Sequence, residues 1–262
     1  MNYRATFDTQ GYFAIPEFFS PSQMNRLEGL VDPVYSQWIE QNSTEIFEQK
    51  LVNMHSLTKG ENFQGQEGKR IDFFDAILPA SLTELMTETF GEDIYFHNTQ
   101  LFFDPPNPKR LPYWHRDLQF SPAEDEVQRR EQGTLLSLHV RIPLTEEKGL
   151  ALVPGTHQRW DTPLERSVRL EQGGHLSHED LPGAEIIHLN RGDILVFDAQ
   201  MLHKGSYSAN HDRKALDLCL GNQHSLTSPY LDASVLPTED EIQRLKNKAF
   251  YRRARHIVES TR

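Results

Sequence analysis

The chain has 262 residues, a formal net charge of −11, twelve histidines and a single cysteine, with 37% apolar and 25% charged residues. That length allows one large or two small domains, and the lone Cys219 cannot close an intramolecular disulfide, which suits a reducing compartment and makes the cytoplasm the expected location. Excess acid opposes phosphate backbones, so nucleic acid is not an expected partner; no apolar run approaches the roughly 18 residues of a membrane span, and the N-terminus has no secretory apolar region.

In chain order, Gly11-Tyr12-Phe13-Ala14-Ile15-Pro16 reads as a short strand. It leads to a helix with Ser20 as N-cap, Pro21 at the first helical position and Gln23 as the reciprocal capping partner. Met24, Leu27, Leu30, Val31, Val34 and Tyr35 recur at helical spacing. Residues 59–70 turn to glycine, glutamine and charge and read as an exposed loop. A helix over 81–90 stops at Gly91, and 93–103 alternates as a strand before Pro105, Pro106, Pro108 and Pro112 enforce a loop.

Residues 134–144 form another strand, with Leu136, Leu138, Val140 and Ile142 on one face and Leu135, Ser137, His139 and Arg141 on the other. The second face either meets solvent or lines a barrel interior. Leu150 to Val153 is short and stopped by Pro154-Gly155, and 157–184 is a long excursion rich in glycine, proline and charge. Strands follow at 185–189, 194–198 and 215–220, and a capping box at Thr238 to Glu241 opens a polar, solvated helix to about Glu259. Helices at both ends around about eight short strands predict a mainly β fold, a sandwich or jelly roll with helical flanks.

A thiol-poor, histidine-rich chain that binds metal would use nitrogen and oxygen ligands. Two H-x-D triplets occur, His115-Arg116-Asp117 and His178-Glu179-Asp180. On an extended chain residues i and i+2 point the same way, so His115 and Asp117 can face one ion, whereas His178 sits in a glycine-rich stretch with no strand to aim it. The best third candidate is His203, at the end of the segment Gly192 to His203. Two histidines and a carboxylate on one side of an ion leave three positions free, the facial triad of non-haem iron oxygenases.

The stretches Trp114-His115-Arg116-Asp117, Gly149 to His157 and Gly192-Asp193-Ile194-Leu195-Val196-Phe197-Asp198 through His203, together with the opening strand and capped helix, resemble the phytanoyl-CoA dioxygenase family of Fe(II)/2-oxoglutarate oxygenases. The resemblance runs from about Phe7 to Gly221. It implies one oxygenase domain over 1–262, with a double-stranded β-helix core, a cupin-like jelly roll, at about 93–222 and helical flanks at about 19–90 and 238–260. It makes His115, Asp117 and His203 the Fe(II) ligands and Arg213 the anchor for 2-oxoglutarate, its planar fork matching a carboxylate. The activity it implies is hydroxylation of a small organic substrate by O2 with release of succinate and CO2, and the carboxylate of Asp117 argues against halogenation.

Three departures stand out: Lys204 intervenes before Gly205-Ser206, the turn before Gly149 is short, and His139 or a neighbour stands where relatives often carry an aromatic residue. Around the centre, Trp114 is core or pocket wall. Asn98, Gln100 and Phe102 share a face that either lines the barrel or packs, with Gln100 the candidate for touching the cosubstrate. His139 is a candidate lining residue, as is Arg141, which binds an acidic substrate or pairs with a carboxylate such as Glu146. His157 reads as structural, and the pocket is expected to draw on loops 59–70 and 157–184. Lys109, Arg110, Arg116, Arg129 and Arg130 hint at an anionic substrate or are surface charge. The other reading is a metal-dependent jelly-roll enzyme or binding module without 2-oxoglutarate turnover, in which Arg213 has no partner.

Overall fold

The computed structural model describes residues 2–207 and 212–260. Helix α1 (Tyr3–Gln10) is capped by the Asn2 side chain and ends at Gly11, whose φ of +84° is a left-handed conformation. A Cβ at Gly11 would also sit 2.5 Å from His157 Nδ1, so only glycine fits there. Strand β1 (Tyr12–Ile15) follows, then α2 (Pro21–Glu48) with the predicted Ser20/Gln23 capping box in place. Met24, Leu27, Val31 and Val34 form its buried stripe, and non-helical backbone at Asn42 kinks it.

Segment 59–70 departs from the predicted exposed loop. After β2 (Asn53–His55) it forms a short 3₁₀ turn and then begins α3 (Glu67–Ile77), where Arg70 is buried. Arg70 bonds Glu241 at 2.6 Å and backbone carbonyls of Thr58 and Leu236, so a segment distant in sequence satisfies its charge. Helix α4 (Ala80–Phe90) then leads into β3 (Tyr95–Phe103).

After α5 (Asp125–Glu131) come β4 (Ser137–Pro143), β5 (Glu147–Leu152), α6 (Pro163–Arg169), β6 (Glu185–Leu189), β7 (Ile194–Asp198), β8 (His203–Gly205) and β9 (Lys214–Gly221). The strand expected from 134 starts at Ser137, because the amides of Thr134 and Leu135 still bond Glu131 O. The 157–184 excursion contains α6, with a Thr162/Glu165 capping box that the composition of the segment masks.

Two antiparallel sheets build the jelly-roll core, one in the order β1-β7-β4-β9-β3-β2, the other β6-β5-β8. Alternation divides the larger sheet into two chemistries. Leu138, Val140 and Ile142 of β4 and Leu216, Leu218 and Leu220 of β9 join the main core with residues of the helices. The opposite face carries His139, Arg141 and Asp217, which are also buried and line a cavity that Leu150, His203 and Gly205 of the smaller sheet close.

The predicted jelly-roll core with helical flanks is present, and the flanking helices occupy more of the chain than the strands. At the C-terminal end the expected single polar helix is two, α7 (Glu239–Arg244) and α8 (Ala249–Ser260). α8 is solvated on one face only: Phe250, Tyr251, Ala254 and Ile257 recur at helical spacing and are buried, while Arg252, His256 and Glu259 are exposed.

Candidate active site

His115 and His203 face each other across an isolated antiparallel bridge, with reciprocal N–H to O distances of 3.0 and 3.1 Å. The Asp117 amide bonds Ala199 O, which holds the extended segment 115–117 along the end of the sheet. Each ring turns Nδ1 to a backbone carbonyl, His115 to Tyr113 O at 3.2 Å and His203 to Met201 O at 3.0 Å. A carbonyl only accepts, so Nδ1 carries the proton and Nε2 presents its lone pair.

Asp117 Oδ1 lies 3.7 Å from His115 Nε2 and 3.3 Å from His203 Nε2. The three residues offer ligand atoms all within 4.8 Å of one another, a donor set that fits a single divalent ion. Burial, reinforced by His203, pushes the His115 imidazole down to about 3, so it stays neutral and able to ligate. Burial alone would raise the Asp117 carboxyl, but His139 and His203 hold it well below the usual range.

The second oxygen of Asp117 starts a row of buried charges. His139 Nε2 is 2.8 Å from Asp117 Oδ2, and its Nδ1 is 2.9 Å from Asp217 Oδ2. Arg141 donates to Asp217 at 3.0 Å and to both oxygens of Glu147 at 2.6 and 2.8 Å. Arg213 Nε then donates to Glu147 Oε1 at 2.7 Å. Burial disfavours charge on Glu147, yet the two guanidiniums bring it down to about 2. Burial likewise opposes charge on His139, and Cys219 with the two carboxylates overcomes it, raising the imidazole well above its ordinary range. The row alternates in sign from a ligand of the triad to Arg213.

Strand geometry accounts for the row. Arg213, immediately before β9, is in phase with Asp217 and Cys219 on the inner face of that strand, and the register pairs Arg141 with Asp217 and His139 with Cys219. Lys214 points the other way, to Asp32 at 2.7 Å. Arg213 Nη1 is buried without a hydrogen-bond partner on the wall of the cavity, a donor shaped for an incoming carboxylate. Gly205 makes room for it, since a Cβ there would meet both Nη atoms at 3.2 and 3.3 Å.

The cavity has a volume of about 390 Å³. Of the residues singled out in the sequence, His115, Asp117, His203, Arg213, Gln100, Phe102, His139 and Arg141 lie on its wall. Trp114 does not: it is buried among Val153, Val168, Leu181 and Leu202 and donates Nε1–H to Glu179 O. Asn98 also lies off the wall, beside a strand irregularity and bonded to Ser56 Oγ at 3.1 Å. Arg141 pairs with Glu147 and Asp217, not Glu146, and Arg116 is buried on Asp161 rather than offered to a ligand. His157 packs against Phe7, away from the wall.

Neither 59–70 nor 157–184 contributes to the wall; Asn53 and His55 of β2, Tyr113, Phe120 and Tyr207 do instead. Sequence reasoning missed these residues along with Asp217 and Glu147. Only Asp217 carried a signal, its even spacing from Arg213 along a strand.

A family model described as phytanoyl-CoA dioxygenase (PhyH) matches residues 7–215. The chain is 21% identical over 214 residues to an ectoine dioxygenase of Nocardia farcinica, spanning 76% of this chain and 70% of the relative. Among solved structures, EctD from S. alaskensis with 2-oxoglutarate and 5-hydroxyectoine superposes with a TM-score of 0.55 at 15% identity, covering 95% of this chain and 82% of that one. HygX from Streptomyces hygroscopicus with nickel and 2-oxoglutarate superposes with a TM-score of 0.57 at 13% identity, covering 84% and 86%.

Proposed function

The chain belongs to the phytanoyl-CoA dioxygenase (PhyH) family and is an Fe(II)/2-oxoglutarate-dependent dioxygenase, and on that footing we propose that it hydroxylates a small organic molecule in the 390 Å³ cavity. In this reading His115, Asp117 and His203 hold the iron, and Arg213 holds the far carboxylate of 2-oxoglutarate. The observation that carries the assignment is one wall bearing both a three-ligand donor set and a buried guanidinium nitrogen with no hydrogen-bond partner. A jelly-roll metalloprotein without cosubstrate gives Arg213 Nη1 nothing to bind.

Iron bound there supplies the redox chemistry, coupling decarboxylation of 2-oxoglutarate to succinate and CO2 with transfer of one oxygen atom of O2 to a C–H bond. The protein's own residues supply placement. The Nδ1–H bonds to Tyr113 O and Met201 O fix both imidazoles, and His139 holds one oxygen of Asp117 so that the other faces the histidines. Arg213, braced by Glu147, orients the cosubstrate. Phe102, Leu150 and Phe197 give the cavity apolar wall and limit the water that reaches it.

His203→Ala is expected to abolish substrate-coupled succinate formation while the fold persists by circular dichroism. Full turnover in that variant would overturn the ligand assignment.

A further inference from the structure

A second, more open cleft of about 490 Å³ adjoins the cavity, and Tyr113 belongs to the wall of both. Asn107 ties the proline-rich loop 104–112 to the end of α2, its amide donating to Phe47 O at 2.8 Å. Lys50, just past that helix, and Lys109 and Arg110 of the loop all line this cleft. Among the described residues neither lysine ammonium meets a carboxylate at ion-pairing distance. Two other charges on the lining are already engaged. Arg169 is held by Asp161 and Gln119, and Glu171 by the hydroxyl and amide of Ser177. The Ser177 donors are neutral and leave Glu171 its negative charge, so among the described residues the cleft carries three cations outside any ion pair against one carboxylate, a net positive patch on a chain of net charge −11.

The patch is joined to the metal site by stacked groups. The Arg110 guanidinium lies 4.4 Å from the Tyr113 ring centroid, and that ring stacks at 4.7 Å on His115, one of the proposed ligands. The Arg110 guanidinium also meets the side-chain hydroxyls of Tyr113 and Tyr207, both on the cavity wall, while its buried Nε has no hydrogen-bond partner. Inside the cavity the alternating row satisfies Arg141 and the carboxylates, and Arg213 is committed to the cosubstrate. Among the described residues, an anionic group on a substrate therefore finds no free cation deep in the cavity, and finds at its mouth Lys50, Lys109 and Arg110, none of them paired with a carboxylate.

We propose that the substrate is a small molecule with an anionic group of the phosphate or carboxylate class, received by Lys50, Lys109 and Arg110 while its reacting carbon extends past Tyr113 to the metal. This rests on the oxygenase reading above and adds the substrate class to it. The two lysines supply attraction and Arg110 a planar fork that Tyr113 keeps oriented.

The test uses anaerobic protein loaded with Fe(II) and 2-oxoglutarate, titrated calorimetrically with inorganic phosphate, and separately with acetate, at constant ionic strength. The proposal expects saturable binding of at least one of these anions to the wild type, weakened tenfold or more by Lys50→Ala/Lys109→Ala and by Arg110→Gln. A Lys69→Ala/Lys246→Ala control, changed at exposed lysines elsewhere, should bind as the wild type does. The stronger of the two anions identifies the phosphate or carboxylate source. Absence of saturable binding by both, or equal affinity in the cleft variants, would overturn the proposal. The absorption band of the iron-bound 2-oxoglutarate is recorded in each sample and should be unchanged. Its absence from the wild type would count against the oxygenase reading itself, whatever the anion titration returns.

Discussion

His139 Nε2 lies 2.8 Å from Asp117 Oδ2, so the proposed carboxylate ligand is itself held by a histidine from the middle of the larger sheet. Because His139 bonds Asp217 through its other nitrogen, the contact links the proposed metal ligands through Arg141 and Glu147 to Arg213. The proposed metal ligands and the proposed cosubstrate anchor are thus positioned by one continuous set of buried partners.

His139→Phe should weaken the metal site without emptying it. Loss of a partner behind a ligand costs about 10–100-fold in metal affinity. Titration of the metal-free protein with Co(II), followed by its visible absorption, should show a loss of that size. An unchanged affinity would mean that Asp117 is held adequately by its backbone alone.

Glu147→Gln should be strongly destabilising. The carboxylate is fully enclosed between Arg141 and Arg213, and removing its charge leaves two buried guanidiniums facing each other. Breaking a buried pair in this way costs about 3–5 kcal/mol, which urea unfolding will register as a lower midpoint. The same variant should bind 2-oxoglutarate more weakly, since Arg213 loses its brace.

Two substitutions probe the anchor at different remove. Arg213→Gln should raise the KM for 2-oxoglutarate by about 30-fold or more, the equivalent of roughly 2 kcal/mol. Gly205→Ala should raise it less, because the new methyl meets the Nη atoms at 3.2 and 3.3 Å and Tyr207 Cε1 at 3.1 Å and must displace them slightly. Steady-state kinetics in 2-oxoglutarate distinguishes the two, and identical KM values across all three proteins would contradict the placement of the anchor.

How much of this was legible in the sequence depends on how local each determinant is. The capping boxes at Ser20 and Thr238 lie within four residues and were readable, as was the alternation that separates Val140 from His139 and Arg141. Whether that second face met solvent or a cavity depended on the smaller sheet lying opposite, which no spacing within β4 encodes. The burial of Arg70 needed Glu241, 171 positions away, and the presence of Asn53 and His55 on the wall needed β2 to pair with β3, His55 opposite Gln100. Trp114 stayed open between core and pocket wall because it adjoins a candidate ligand; along an extended chain it faces away from His115, into a separate apolar cluster.

Asp198 gives stability a pH dependence. Burial pushes its carboxyl up to about 7, with the Gln200 amide and Arg116 offsetting only part of the effect. Its folded-state value thus exceeds the unfolded one of 3.8, so the native state binds the proton more tightly. Its contribution is greatest at acid pH and is lost as pH rises from about 4 to about 7, at about 1.4 kcal/mol per pH unit. Asp198→Asn keeps an oxygen for the Gln200 amide and removes the ionisation. Urea unfolding at several pH values should show the variant gaining on the wild type across that window and running parallel to it above and below.

The most direct test of the central claim is the visible absorption of the protein under nitrogen as Fe(II) is added in the presence of 2-oxoglutarate. The account predicts a charge-transfer band that saturates at one iron per chain in the wild type, vanishes in His203→Ala and Asp117→Ala, and needs far more 2-oxoglutarate in Arg213→Gln. A band of full intensity in His203→Ala, or none in the wild type, would contradict it.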